Sequence, residues 1–183
     1  MENRRVKLTK LIIKTSFIEL LQNKPLEQIT VTELCAHADV NRSTFYDHYG
    51  DFGELMKEIE ADFLNHMPFI NFSQTQSKTL EGLISFMHYV QKSRESFIIL
   101  IKNGMLADKI YERTMTLGIK SGRSTENNMA YAKLVTAYEV SGAVNVILRW
   151  LEEDLPCTAE EVANTINKLA ASVDNCAKLN FKA

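Results

Sequence analysis

Two helix-start signals, Thr30-Val31-Thr32-Glu33 and Asn41-Arg42, stand close together near the N-terminus and constrain this chain more than any other feature. The first has the spacing of a capping box, in which the Thr30 hydroxyl accepts from a first-turn amide and Glu33 reaches back. It predicts a short helix from Val31 to about Ala38, with Leu34 and Cys35 inward. Asn41 is a favoured N-cap for a further helix from Arg42. Two short helices separated only by Asp39-Val40-Asn41 make a helix-turn-helix.

The same punctuation organises the rest. An amphipathic helix is expected from about Arg4 to Gln22, with Leu8, Leu11, Ile12, Ser16, Ile18 and Leu21 on a broad inner face and Lys7, Lys10 and Lys14 on a basic one, ended by Asn23-Lys24-Pro25. A fourth helix, Glu54 to about His66, carries Leu55, Ile59 and Phe63 at four-residue spacing and ends at Pro68 and a Ser/Gln segment, 73–77. Helical pieces follow near 78–93, 94–103, 105–120, 126–154 and 158–179, the last opened by a second capping box, Thr158-Ala159-Glu160-Glu161. With 7 Gly, 3 Pro and 45% apolar residues in 183, the expectation is an all-α chain of about nine helices. Residues 1–50 form the helix-turn-helix domain, helix 54–66 connects, and residues 51–183 form a second, regulatory bundle.

Chemistry concentrates in Asn41-Arg42-Ser43-Thr44-Phe45-Tyr46-Asp47-His48-Tyr49. Phe45 and Tyr49, four apart, can face one core while the opposite face stays polar. Arg42 suits guanine O6 and N7, Ser43 suits either base, and the Thr44 and Tyr46 hydroxyls suit phosphate oxygens near a helix N-terminus. An ordinary solvated helix would carry a similar polar face. The formal charge of −2 supplies no global attraction for a polyanion, and residues 1–50 carry 7 Lys/Arg against 6 Asp/Glu, a net of 7 − 6 = +1. Arg4, Arg5, Lys7 and Lys10 are the expected source of non-specific affinity.

From Leu11 to about Leu64 the chain resembles the DNA-binding domain of the TetR family, through Ile29-Thr30-Val31-Thr32-Glu33-Leu34, Ala38-Asp39-Val40, Ser43-Thr44-Phe45-Tyr46-Asp47-His48-Tyr49 and Glu54-Leu55. The resemblance implies a transcription regulator that contacts duplex DNA through Thr32, Arg42, Ser43, Thr44, Tyr46 and His48. It also implies a homodimer reading a near-palindromic operator, with a small-molecule effector held in the second domain. Three positions depart from the family pattern. Asp39 stands where Gly is usual, in a left-handed turn that Asp tolerates less well than Gly. Phe52 replaces a usual lysine, which removes one phosphate contact, with Lys57 the nearest substitute. Asp47 lies on the DNA-facing side, either accepting from cytosine N4 or, the preferred reading, repelling phosphate.

The helix near 126–154 is apolar on two sides, Tyr131, Leu134, Val135, Tyr138 and Gly142 against Ala137, Val140, Val144, Ile147, Leu148 and Leu151. One stripe needs a covering from outside its own bundle, and a second copy of the same helix supplies it. The expected interface comprises Val140, Val144, Ile147, Leu148 and Leu151 with Val162, Ile166, Leu169 and Val173. Full burial inside the monomer is the alternative. Phe86, Tyr89, Phe97, Met105, Tyr111, Met115 and Tyr138 are candidates to line an effector pocket, although each alone fits an ordinary core. The stretch Gly142 to Leu151, with Trp150, also looks similar to compact C-terminal domains of some TetR-like proteins of Gram-positive bacteria, certain of which act with a second protein.

Other function classes find little support. His37, His48, His66 and His88 make no catalytic set, and Cys35, Cys157 and Cys176 lack paired metal-ligand spacing, so no enzyme, cofactor or metal is expected. No run is long and apolar enough for a membrane span, and a cytoplasmic location is expected. A co-regulator or adaptor acting through a partner protein is the competing role.

Overall fold

A computed structural model describes residues 4–67, 76–120 and 124–179, with the side chains of 76–79 and 174–179 excepted. The described residues form nine α-helices and no strand. These are α1 (Arg4–Asn23), α2 (Val31–His37), α3 (Arg42–Tyr46), α4 (Phe52–His66), α5 (Gln76–Lys92), α6 (Arg94–Lys102), α7 (Ala107–Lys120), α8 (Met129–Glu152) and α9 (Ala159–Leu179). Two compact units result, residues 1–62 and 63–183. The expected chain break at 68–77 and the loop 121–123 lie outside the described residues for all or most of their length, as does the side chain of Cys176.

Caps explain the helix starts. Thr30 Oγ1 accepts from the Glu33 amide at 3.2 Å, and Thr158 and Glu161 complete a reciprocal box, with bonds of 3.2 and 2.8 Å. Asn41 occupies the N-cap of α3 but its side chain makes no cap hydrogen bond, so that part of the expectation is corrected. The following helix is capped instead by Asp51, whose Oδ1 accepts from the Glu54 amide at 2.9 Å.

Helix ends are equally explicit. Val40 donates to the Cys35 carbonyl at 3.0 Å, Met105 to Leu100 at 2.9 Å and Leu155 to Trp150 at 3.2 Å. Each bond spans a left-handed residue, Asp39 (φ 51°), Gly104 (φ 70°) or Asp154 (φ 50°). This is the Schellman closure, and at Asp39 it forms the turn of the helix-turn-helix.

The first unit is built on Phe17, Phe45, Leu34, Ile13 and Leu55, all fully buried. The expected inner face of α1 needs correction in its N-terminal half, because Leu8, Leu11 and Ile12 are 57, 59 and 38% exposed. The side facing α4 instead runs through Lys10, Lys14, Phe17 and Leu21, with both lysines bonded to carboxylates of α4. Periodicity misplaces this face because cations become interior-facing once an acidic helix lies beside them. In the second unit α5 packs on α9, α7 on α8, and α8 on α9.

Candidate nucleic-acid interface

The short helix α3 divides as its sequence suggests. Phe45 is fully buried and Tyr49, just beyond the helix, is 2% exposed, whereas Arg42, Ser43 and Tyr46 face solvent and Thr44 and His48 are half-buried. Thr32, on the first turn of α2, is also exposed. Five of the six residues singled out from the sequence therefore lie on two neighbouring helices, packed together and joined by the Asp39 turn, and the sixth, His48, lies two residues beyond the end of α3. Asp47 is exposed directly after α3.

An aromatic cluster seats this helix. The Phe45 ring lies 5.8 Å from Tyr49, 5.9 Å from Phe52 and 5.4 Å from Tyr46, and Phe52 stacks on Phe17 at 5.4 Å. Phe52, read in the sequence only as a missing lysine, thus joins the aromatic cluster beneath the polar face, where it is half-buried. Its aromatic character was visible, but its partner Phe17 lies on α1, with α2 and α3 between them in the sequence.

Electrostatics divides the basic residues into two sets. Lys10 Nζ donates to Glu58 Oε2 at 2.9 Å, and Lys14 Nζ lies 2.8 Å from Glu58 Oε1 and 2.6 Å from Asp62 Oδ2. Burial alone would push the Glu58 carboxyl up, but the bonded Lys14 and Lys10 ammonium groups outweigh it and hold the group below the ordinary range. Burial likewise opposes the charge of Lys14, yet Asp62 and Glu58 raise its pKa. Lys10 is therefore engaged in the interior network, correcting its place among the outward cations, while Arg4, Arg5 and Lys7 are exposed. At the other end of α1, Lys24 pairs with Glu33, holding that carboxyl low together with the Thr30 amide, and His37 meets Glu19 at 2.7 Å.

In the second unit, Phe86, Phe97 and Met115 are buried and Tyr89, Met105 and Tyr111 half-buried. Tyr89 and Phe97 both meet Phe63, at 5.2 and 5.9 Å between ring centres, and Tyr89 stacks on His66 at 3.7 Å. Tyr138 departs from this group, being 69% exposed, and is corrected as a pocket residue.

Of the nine residues expected to pair, four are corrected. Val140, Ile147, Leu151 and Val162 are 8, 4, 3 and 5% exposed, covered within the chain's own bundle. Val144, Leu148, Ile166 and Val173 are half-buried, and only Leu169, at 55%, is openly exposed. The uncovered side of α8 carries Leu134 (71%) and Tyr138. Two apolar stripes of similar strength made the choice illegible, and the bundle covers the one that ends in Trp150 and Leu151. Trp150 is 4% exposed and donates to the Cys157 carbonyl at 2.9 Å.

Among the described residues no group of His, Cys, Asp and Glu gathers as metal ligands, and no helix is long and apolar enough to cross a membrane.

Comparison with known proteins locates this architecture. The chain is 20% identical over 174 residues to the HTH-type transcriptional regulator YxbF of Bacillus subtilis, a match covering 87% of this chain and 44% of that protein. It thus spans less than half the length of this curated relative. Among solved structures it is similar to a TetR-family transcriptional regulator from Streptomyces coelicolor, with a TM-score of 0.66, 14% identity, and coverage of 97% of this chain and 83% of the other. It is similar also to the dihydroxyacetone kinase operon activator DhaS, with a TM-score of 0.57, 17% identity, and coverage of 91% and 97%. Residues 77–172, more than half of the 183, match the TetR-type "transcriptional regulator C-terminal region". The chain belongs to the TetR family of transcriptional regulators.

Proposed function

We propose that this regulator binds duplex DNA as a homodimer, reads a near-palindromic operator through α2 and α3, and represses transcription until a small molecule enters its second domain. The observation that carries the DNA reading is the division of α3 and its flanks. A fully buried Phe45 and a nearly buried Tyr49 fix one side, which leaves Arg42, Ser43 and Tyr46 turned outward with Thr32 nearby. Arg42 and Ser43 read base edges, while Thr32, Thr44, Tyr46 and His48 position the helix on phosphates. A two-fold arrangement sets the two recognition helices roughly 34–36 Å apart along the duplex.

Pairing is assigned to the uncovered side of α8 and α9, through Leu134, Tyr138 and Leu169. Burying their apolar surface in a self-complementary contact removes three large exposed hydrophobic side chains from water. Residues 1–50 supply the DNA-binding domain and 51–183 the regulatory and dimerisation domain. The effector's walls are Phe86, Tyr89, Phe97, Met105, Tyr111 and Met115. Such a regulator works in the cytoplasm, where its operator is.

Selection from a random-sequence duplex pool tests the reading. A two-fold site is expected to be enriched, and Arg42→Ala to weaken it by roughly 1–3 kcal/mol at one position per half-site. No enriched sequence at low salt would favour the adaptor role. The opposite sign of regulation is suggested by the operon activator DhaS. A promoter reporter carrying the selected site separates the two, since repression lowers its output when the regulator is expressed and activation raises it.

A further inference from the structure

Helix α3 is only five residues long, so its own hydrogen bonds cannot fix its direction. Its direction must come from what it rests on, and on one side that is Tyr49. The Tyr49 amide donates to the Phe45 carbonyl at 2.9 Å, and its ring lies 5.8 Å from Phe45 and 6.4 Å from His48. Lys10 meets this same ring, its ammonium 5.5 Å from the ring centre. The ammonium is simultaneously bonded to Glu58 Oε2, and the other oxygen of that carboxylate is held by Lys14, itself tied to Asp62.

Lys10 is thus clamped from α4 and covered, with its side chain 24% exposed. A cation whose donors are spent on a carboxylate and an aromatic face is poorly placed to neutralise a phosphate. It is well placed to stop the Tyr49 ring, and with it the base of α3, from tilting.

We propose that Lys10 is a positioning residue for DNA reading, pinned by Glu58 against Tyr49 so that α3 is held at a fixed angle, and not a phosphate contact. This rests on the DNA reading proposed above. Loosening the pin should blur sequence discrimination more than it weakens general attraction to DNA.

The test uses the full chain, the selected duplex and a random duplex, with binding followed by fluorescence anisotropy between 50 and 200 mM salt. Lys10→Met and Glu58→Gln are both expected to lower the ratio of specific to random affinity by about tenfold. Both should leave the slope of log affinity against log salt unchanged, and Lys10→Arg should regain most of the ratio, since a guanidinium also pairs with carboxylates and stacks on rings. Glu58→Gln separates the possibilities by sign, because freeing a phosphate-contacting lysine would strengthen binding to both duplexes.

A slope reduced by about 0.9 in Lys10→Met, the loss of one phosphate contact, would overturn the proposal. So would a lowered melting temperature with an unchanged ratio, which marks a merely structural lysine. If the wild-type chain prefers no duplex, the DNA reading itself fails and the positioning role with it.

Discussion

The two units of this protein solve the same packing problem differently. In residues 4–62 two very short helices, α2 and α3, are held with α1 and α4 by a shared aromatic centre and by charged pairs centred on the half-buried Lys10, Lys14 and Glu58. In the second unit the long-range pairs, His88 to Glu160 and Arg94 to Asp154, lie at the surface, and α8 leaves Leu134 and Tyr138 exposed. The first unit places its charged pairs inside a helix contact, whereas the second keeps them at the surface and exposes apolar side chains of α8 that the proposed dimer would cover.

The largest effect that would break this contrast lies in the aromatic centre. Phe45→Ala is expected to cost about 3–5 kcal/mol, enough to unfold the first unit while the helices of the second persist. Circular dichroism should then show a lowered helix content without denaturant and, on titration, the single remaining transition of the second unit. Leu134→Ala, which removes an equally apolar but exposed side chain, should stay within about 0.5 kcal/mol in the monomer. Comparable losses at both sites, at a concentration where the chain is monomeric, would mean that Leu134 is covered within its own chain.

Pairing provides the next effect. Glutamate at Leu134 and Tyr138 together should weaken self-association by about 2 kcal/mol or more per residue without unfolding the chain, read by sedimentation velocity over a range of concentrations. If charges at Val144 and Leu148 split the dimer while these do not, the proposed face is the wrong one.

Acidity sharpens the other half of the comparison. Glu58 has a depressed pKa in the folded chain, so its contribution to stability is present above the unfolded carboxyl value near 4 and is lost as pH falls through the lower folded value. Lys14 is shifted upward, so its contribution persists below the ordinary lysine range near 10.4 and is lost above it. Glu58→Gln should therefore flatten the acid limb of first-unit melting and leave the second unit's acid limb unaltered.

The smallest effects come from a matched pair, one in each unit. Asp39→Gly and Asp154→Gly relieve a left-handed backbone and remove a carboxylate from a helix C-terminus, against the greater unfolded freedom of glycine. Each should raise stability by about 0.5–1 kcal/mol. A gain at Asp154 but none at Asp39 would show the helix-turn-helix turn constrained by more than its φ angle.

Local chemistry explains what could be read in advance. Helix starts at Thr30 and Thr158, the division of α3 around Phe45, and the all-helical character follow from spacing within a few residues, and all are present in the structure. What escaped was the choice of face on α1 and α8. Lys10 and Lys14 have the pattern of a solvated basic stripe until Glu58 and Asp62 arrive beside them, which turns the exposed side of α1 toward Leu8 and Leu11. In α8 the stripe through Val140 and the stripe through Leu134 are alike in composition, and only the packing of α7 and α9 decides between them. Phe52 shows the same limit on a smaller scale, since the absence of a lysine was plain and the stack on Phe17 was not.

The brevity of α3 also sets how this surface can be watched. Few amides around it are closed by helical bonds, among them Phe45 to Asn41 at 3.2 Å, Asp47 to Ser43 at 2.8 Å and Tyr49 to Phe45 at 2.9 Å. Deuterium uptake by these three reports the lifting of a seated ring and not the fraying of a helix end. Their exchange should therefore slow together, as one opening event, when an operator is bound, while the long helix α9 keeps its own clock.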